Sequence, residues 1–342
     1  MNDSQRTIDF FYPAEWRHPK NPLAVGINQQ NRDWALETGL IGPQETEWIG
    51  MQEAFDLEAF AACVYPLTRD VDFLRFVSDF TLWISVLDDD LERRSLSMGD
   101  QERTELVREC HIMLEGGDAP GQIRYAAAFR DIIARFQRLA GEEHGPGLTP
   151  WFISTLKQMV TFLVLEESKA SLSWQDNAFY EAVRPLVSQF LYYCMFVQIV
   201  DECYLPKAVA QDERIQRLAT QASLIFGLMN DALSAVKEDT GQPDLNAVLI
   251  HKHREGCSDA EALAAVARWH NERVGKLVQT SREAAQSFGA FNQNVETYAR
   301  GIQNCLRGII EWGFHSRRYT LPTSCQIRIV SELGPDAPTL LG

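Results

Sequence analysis

Two acidic clusters hold residue types whose spacing could do chemistry. The first, Asp88-Asp89-Asp90-Leu91-Glu92, closes a strongly apolar segment. On a helix, Asp88 and Glu92 are four apart and share a face, with Asp89 turned away by about 100°. Carboxylates this close repel one another, and a helix C-terminus already carries partial negative charge. Something positive must offset them. Arg93 and Arg94 follow directly and would give a solvated helix end. The other option is a hard divalent cation such as Mg2+, which takes carboxylate oxygens and keeps several waters. The second cluster runs from Asn230 to Glu238, with Asn230, Ser234 and Glu238 four residues apart in turn. That is one helical stripe drifting about 40° per step and climbing about 12 Å. Helical side chains lean toward the N-terminus, so Glu238 can reach back toward Ser234. An amide oxygen, a hydroxyl and a carboxylate could then chelate one Mg2+. A solvated polar stripe is the alternative, and the apolar Ile225-Phe226-Gly227-Leu228-Met229 just upstream weighs against it.

Helices must carry both stripes. Val71–Glu92 sets Phe73, Phe76, Val77, Phe80, Trp83, Ile84 and Leu87 at three- and four-residue steps. Similar patterns fill 102–115, 122–140, 150–171, 176–204, 209–238, 259–287 and 289–316. Of the rest, Gln326–Val330 reads as a possible strand in a Pro-bearing tail. Breakers stand at Gly116-Gly117, from Gly141 to Pro150, at Thr240-Gly241-Gln242-Pro243 and from Ser316 onward. Pro13, Pro19 and Pro22 predict an irregular arm over 1–25, and 320–342 reads as a flexible C-terminal tail. The pattern predicts one all-α domain over 1–342. Pro185 lies inside a helical run, where it removes a hydrogen bond and clashes with the preceding turn. It reads as a kink, a helix start, or a break that frees main-chain groups for use.

Taken together, the two stripes resemble a class I terpene cyclase (terpene synthase) of the microbial type. In that family a DDxx(x)D/E motif and an NDxxSxxx(K)E triad face each other across the mouth of a helical bundle with a deep apolar cavity. Here they correspond to Asp88–Glu92 and Asn230–Glu238. Lys237-Glu238-Asp239-Thr240-Gly241 and then Asn246-Ala247-Val248 fit the family's KExxxG…NxV run. Arg184 stands where the family places its diphosphate-sensing arginine, with Val187 and Ser188 at the linker and effector positions. The break at Pro185 would aim the Ser188 carbonyl into the cavity. Arg318-Tyr319 matches an RY pair, with Trp312 as an upstream aromatic. The effector is more often Gly in relatives, and Asp90 as third residue of the acidic motif leaves the choice among Asp89, Asp90 and Glu92 open.

The resemblance implies an isoprenyl diphosphate substrate and three Mg2+ ions. It implies that Asp88, Asp89 and Glu92 hold two of them and Asn230, Ser234 and Glu238 the third. Arg184, Lys237, Arg318 and Tyr319 would donate to diphosphate oxygens, and Arg184, Ser188 and Trp312 would serve catalysis. Trp312, then Phe80, Trp83 and Phe190, would face the carbocation, although aromatics at helical spacing are usually core. The expected reaction is cyclisation of farnesyl diphosphate to a cyclic sesquiterpene. Geranylgeranyl diphosphate to a diterpene, a chain-elongating prenyl transferase and a non-catalytic helical protein are the alternatives.

Composition fits this reading. The 342 residues carry 32 Lys+Arg against 47 Asp+Glu, a formal net charge of −15. Such a field argues against nucleic acid or an anionic membrane as main partner, but divalent cations can bridge to an anionic ligand. The N-terminus leads into no apolar signal region, and Phe190–Val200 falls short of the ~20 residues of a membrane span. Seven scattered cysteines without a CxxC pair predict neither a zinc ribbon nor a disulfide framework. A cytoplasmic protein, monomeric or homodimeric, is expected. His251-Lys252-His253 with Cys257 reads as a solvated loop, and the Gly-rich stretch 141–147 as a turn lacking the Lys-Ser/Thr of a phosphate loop.

Overall fold

A computed structural model of the chain describes residues 6–119, 121, 123–166, 177–241, 244–319 and 325–332. The chain packs as two compact units. One comprises Met1–His18, Leu172–His315 and Tyr319–Gly342, the other Pro19–Ser171 and Ser316–Arg318. The fold is all-α.

The second unit holds α1 (Ile27–Glu37), α2 (Thr46–Phe55), α3 (Leu57–Val64), α4 (Val71–Ser95), α5 (Asp100–Leu114) and α6 (Ile123–Glu166). Asp70 caps α4 by accepting the Phe73 amide at 3.0 Å. The apolar stripe of α4 buries itself against α6. Phe80 packs on Phe152 at 5.5 Å, and Trp83 stacks on Phe129 at 5.1 Å. Both side chains are fully buried, so Phe80 and Trp83, expected to face a carbocation, are core residues of this unit. The turn expected between Gly141 and Pro150 is confined to Gly141, whose φ of 72° breaks α6; the helix then resumes through Pro146 and Pro150. A proline's fixed φ is itself helical, so neighbours that hold it let the helix continue.

The first unit holds α7 (Asn177–Val187), α8 (Phe190–Val200), α9 (Lys207–Ala210), α10 (Glu213–Glu238), α11 (Ala247–Glu255), α12 (Asp259–Ala285) and α13 (Asn292–His315). The helix α10 packs against α7, α8, α12 and α13. The expected run 176–204 is bent by 47° between α7 and α8. The bend falls at Ser188 and Gln189, three and four residues beyond Pro185, and Gln189 takes a left-handed φ of 64°. Residues 167–171 and 242–243, parts of the expected helix and breaker, lie outside the described residues. His251, Lys252 and His253 stand in α11 rather than in a loop, with Lys252 Nζ 2.8 Å from both Asp239 and Asp259. Among the described residues no single helix is long and apolar enough to cross a membrane.

The arm and tail are more regular than expected. Strands β1 (Arg6–Phe11) and β2 (Cys325–Val330) pair in parallel, Ile8 opposite Ile327. Residues 1–5, 320–324 and 333–342 lie outside the described residues. Ile8 and Phe10 alternate inward, while Asp9 on the other face meets Arg328 at 2.9 Å. The prolines that mark the arm as irregular begin at Pro13, after the strand ends. Asn271 on α12 fastens β1: its Nδ2 donates to the Asp9 carbonyl (3.0 Å), and its Oδ1 accepts the Phe11 amide (2.8 Å). Asn271→Ala would strand that buried amide, costing about 1–3 kcal/mol. Urea unfolding of the variant should show the loss; an unchanged midpoint would dismiss Asn271 as the fastening.

Candidate active site

The Asn230 stripe projects from a helix held on its other sides. Leu224, Ile225, Leu228, Met229 and Leu233 are buried, which leaves Asn230 and Glu238 half-buried. Asn230 Nδ2 donates to Tyr319 Oη (2.9 Å), and its Oδ1 accepts from Arg184 Nη2 (2.9 Å). Ser234 Oγ donates to the Asn230 carbonyl (2.9 Å), and Glu238 Oε2 accepts from Asn246 Nδ2 (2.8 Å). Each of the three thus keeps an oxygen lone pair beyond its present bond. An all-oxygen set with one formal charge fits a hard divalent cation. Among the described residues no three His, Cys, Asp or Glu side chains gather as a cage. A cation here would therefore rely on amide and hydroxyl oxygens as well as carboxylate.

Behind the stripe lies a buried charge network. Arg184, near the end of α7, donates from Nη2 to Asp231 Oδ1 at 2.6 Å as well as to Asn230. Asp231 is wholly enclosed, and its Oδ2 accepts from Tyr180 Oη (2.7 Å) and from the Ala247 amide at the start of α11 (2.7 Å). Burial pushes the Asp231 carboxyl up from 3.8 to about 6, against the pull of Arg184. Donation from Arg184, Tyr180 and the Ala247 amide favours its ionised form. Burial works against the Arg184 charge, but Asp231, Tyr180 and Glu238 outweigh it and hold its pKa above the ordinary value. Room for the arginine depends on Gly227: a Cβ there would stand 2.7 Å from Arg184 Cγ.

Trp312 is buried on α13 and meets Tyr319 edge-on at 6.0 Å. Both line a cavity of this unit together with Asn230, Phe226 and Leu233. Phe190 lies one layer behind, stacked on Phe226 at 5.5 Å. Ser188 is buried at the α7–α8 bend, its hydroxyl donating to the Pro185 carbonyl at 3.3 Å. Val187 is buried beside it, and Lys237 is exposed on α10. Arg318, in the second unit, lies over the Phe55 ring at 4.2 Å.

At the end of α4 in the second unit, Asp88 and Asp89 are half-buried and Glu92 is exposed. Asp90 is already engaged: its two oxygens lie 3.5 Å from Arg93 and Arg94, and it hydrogen-bonds the Tyr125 side chain. A cation could take Asp90 as a ligand only by displacing these partners. Because its carboxylate is already held by Arg93, Arg94 and Tyr125, we expect Asp90→Asn to leave the Mg2+ concentration for half-maximal activity within about threefold of wild type. Asp88→Asn should raise it more than tenfold, and equal shifts in a magnesium titration of both variants would refute the distinction.

Three contributors escape a sequence reading. Asp231 adjoins Asn230 but points about 100° away, off the stripe. Tyr180 stands four residues before Arg184 and shares its face, yet carries no charge to draw notice. Gly227 has no side chain to read.

The family model described as terpene synthase family 2, C-terminal metal binding, matches residues 79–276. The chain belongs to the terpene synthase family. It is therefore a terpene cyclase, a lyase acting on an isoprenyl diphosphate in a metal-binding family. The chain is 35% identical over 317 residues to (+)-germacrene D synthase of Selaginella moellendorffii, covering 87% of this chain and 86% of that one. It is 22% identical over 333 residues to (+)-T-muurolol synthase of Streptomyces clavuligerus, named as farnesyl diphosphate cyclizing, covering 95% and 76%. In fold it resembles the crystal structure of germacradien-4-ol synthase from Streptomyces citricolor, with a TM-score of 0.71 at 18% identity over 92% of this chain and all of that one.

Proposed function

We propose that this cyclase ionises and cyclises farnesyl diphosphate to a cyclic sesquiterpene with the help of three Mg2+ ions. Asp88, Asp89 and Glu92 would hold two of the ions, and Asn230, Ser234 and Glu238 the third. Bound divalent cations would neutralise charge that develops on the departing diphosphate. The observation that carries the reading is the Arg184 guanidinium, fixed by buried Asp231 and bonded to the metal-stripe amide of Asn230. A preorganised cation beside a candidate metal ligand is suited to diphosphate oxygens and needs no reorganisation when charge develops. Arg318, Lys237 and Tyr319 would add donors. Trp312 would offer an aromatic face to the carbocation, and the apolar wall would keep water from it. Ser188, at the α7–α8 bend, would present main-chain polarity as the effector. The C15 substrate is favoured by relatives such as the T-muurolol synthase, whose name specifies farnesyl diphosphate.

The test is incubation of purified protein with C10, C15 and C20 diphosphates, with Mg2+ and with a chelator, followed by gas chromatography–mass spectrometry. A C15 cyclic product that vanishes with the chelator is expected. Turnover of the C20 substrate alone would replace the sesquiterpene assignment with a diterpene one. Elongation in the presence of isopentenyl diphosphate would replace cyclisation with prenyl transfer.

A further inference from the structure

Glu238, the charged member of the Asn230 stripe, is the last residue of α10. Its long side chain has several rotamers open to it, and something must select one. Asn246, wholly buried at the start of α11, makes that selection. Its Oδ1 accepts the Val248 and Leu249 amides at 2.9 and 3.3 Å, which caps α11 and fixes which end of the amide is oxygen. Nδ2 therefore faces the other way. Its two hydrogens go to the Asp231 carbonyl at 3.1 Å and to Glu238 Oε2 at 2.8 Å. Turning the amide over would set oxygen against two acceptors and nitrogen against two donors. Among the described residues Glu238 Oε1 takes no hydrogen bond, so one carboxylate oxygen is held and the other is left over. The next residue, Ala247, donates its amide to Asp231 Oδ2 at 2.7 Å. Two consecutive residues at one helix start thus hold two carboxylates, Glu238 and the Asp231 to which Arg184 is bonded.

A hydrogen bond to a charged acceptor is stronger than a neutral one, and removing a group that orients a metal ligand typically costs about 10–100-fold in metal affinity. The start of α11 is a firm anchor: Ala247, Val248, Leu249 and Ile250 are all buried, and the helix packs on α10 and α12. Resting on the metal reading above, we propose that Asn246 is a positioning residue for the third ion. It holds Glu238 by Oε2 and leaves Oε1 for the cation, so that the metal ligand and the anchor of Arg184 are set from a single helix start.

The experiment titrates Mn2+, a spectroscopically visible stand-in for Mg2+, into the full chain with inorganic diphosphate. Free Mn2+ is read by electron paramagnetic resonance, and stability by thermal melts. Asn246→Asp keeps shape and cap but turns the donor into an acceptor, and Asn246→Ser keeps a capping hydroxyl while deleting Nδ2. The expected result in both variants is a weakening of about tenfold or more at one Mn2+ site, with the other two within about threefold of wild type. Adding Asn246→Ser to Glu238→Gln, whose carboxylate is already gone, should weaken binding by less than about threefold. A merely structural role would lower the melting temperature and leave every Mn2+ affinity alone. Wild-type affinities in the folded variants, equal weakening of all three sites, or failure of both variants to fold would each overturn the proposal. A wild-type chain that binds no Mn2+ with diphosphate would instead sink the three-ion reading on which it rests.

Discussion

Glu238→Gln should lower kcat/KM by about a thousandfold, close to 4 kcal/mol of transition-state stabilisation, while the protein stays folded. Glutamine is isosteric and keeps a carbonyl oxygen able to accept the Asn246 Nδ2–H bond now made to Glu238 Oε2. Asn246 also caps α11 by accepting the Val248 and Leu249 amides, and none of that need change. What disappears is the one negative charge on the Asn230–Ser234–Glu238 stripe. Two neutral oxygens cannot offset the dehydration of a divalent cation as a carboxylate does. Stability should move by about 1 kcal/mol or less because Glu238 is half-buried and its hydrogen bond survives. Steady-state kinetics at saturating Mg2+ beside a thermal melt decide the matter. Near-wild-type turnover would remove Glu238 from the metal site; loss of activity together with loss of fold would make it structural.

The sequence shows the helices and the two stripes because both are periodic, and periodicity survives in one dimension. Trp83 at the right helical step looks like a cavity aromatic, yet only packing against Phe129 reveals it as core. Asp90 sits inside the acidic motif, and beside Arg93 and Arg94 of its own helix it is engaged by Tyr125, which comes from another helix. The strand at Arg6–Phe11 has no partner within its own neighbourhood. It forms because Cys325–Val330 and Asn271 supply the missing hydrogen bonds from the other end of the chain. Parallel pairing requires such a long connection and leaves no local turn signal. What spacing cannot encode is which side chains fill the space around a charge, as at Arg184.

Gly227→Ala tests that last point, since by local rules it should be beneficial. Alanine is favoured over glycine in a helix interior by about 1 kcal/mol, and Gly227 lies well inside α10. The new methyl, however, would stand 2.7 Å from Arg184 Cγ and 3.2 Å from Arg184 Nε. Cγ is the middle of the side chain, not its mobile tip, so the whole guanidinium must move. Its anchor is the 2.6 Å bond to Asp231, a carboxylate with no exposure. Breaking a buried pair of this kind costs about 3–5 kcal/mol, because the remaining charge keeps its desolvation penalty. The packing term therefore exceeds the propensity term, and net destabilisation of about 2–4 kcal/mol is expected. Activity should suffer with it: a displaced Arg184 no longer presents its donors, and a misplacement near 1 Å can cost about a hundredfold. The kinetic signature should be reproduced by Arg184→Ala, and adding Gly227→Ala to that variant should change kcat/KM little, since the group it displaces is already gone. If the two losses instead multiply, Gly227 acts through something other than Arg184. If Gly227→Ala alone melts higher and turns over normally, the close approach of α7 and α10 is not what holds the arginine in place.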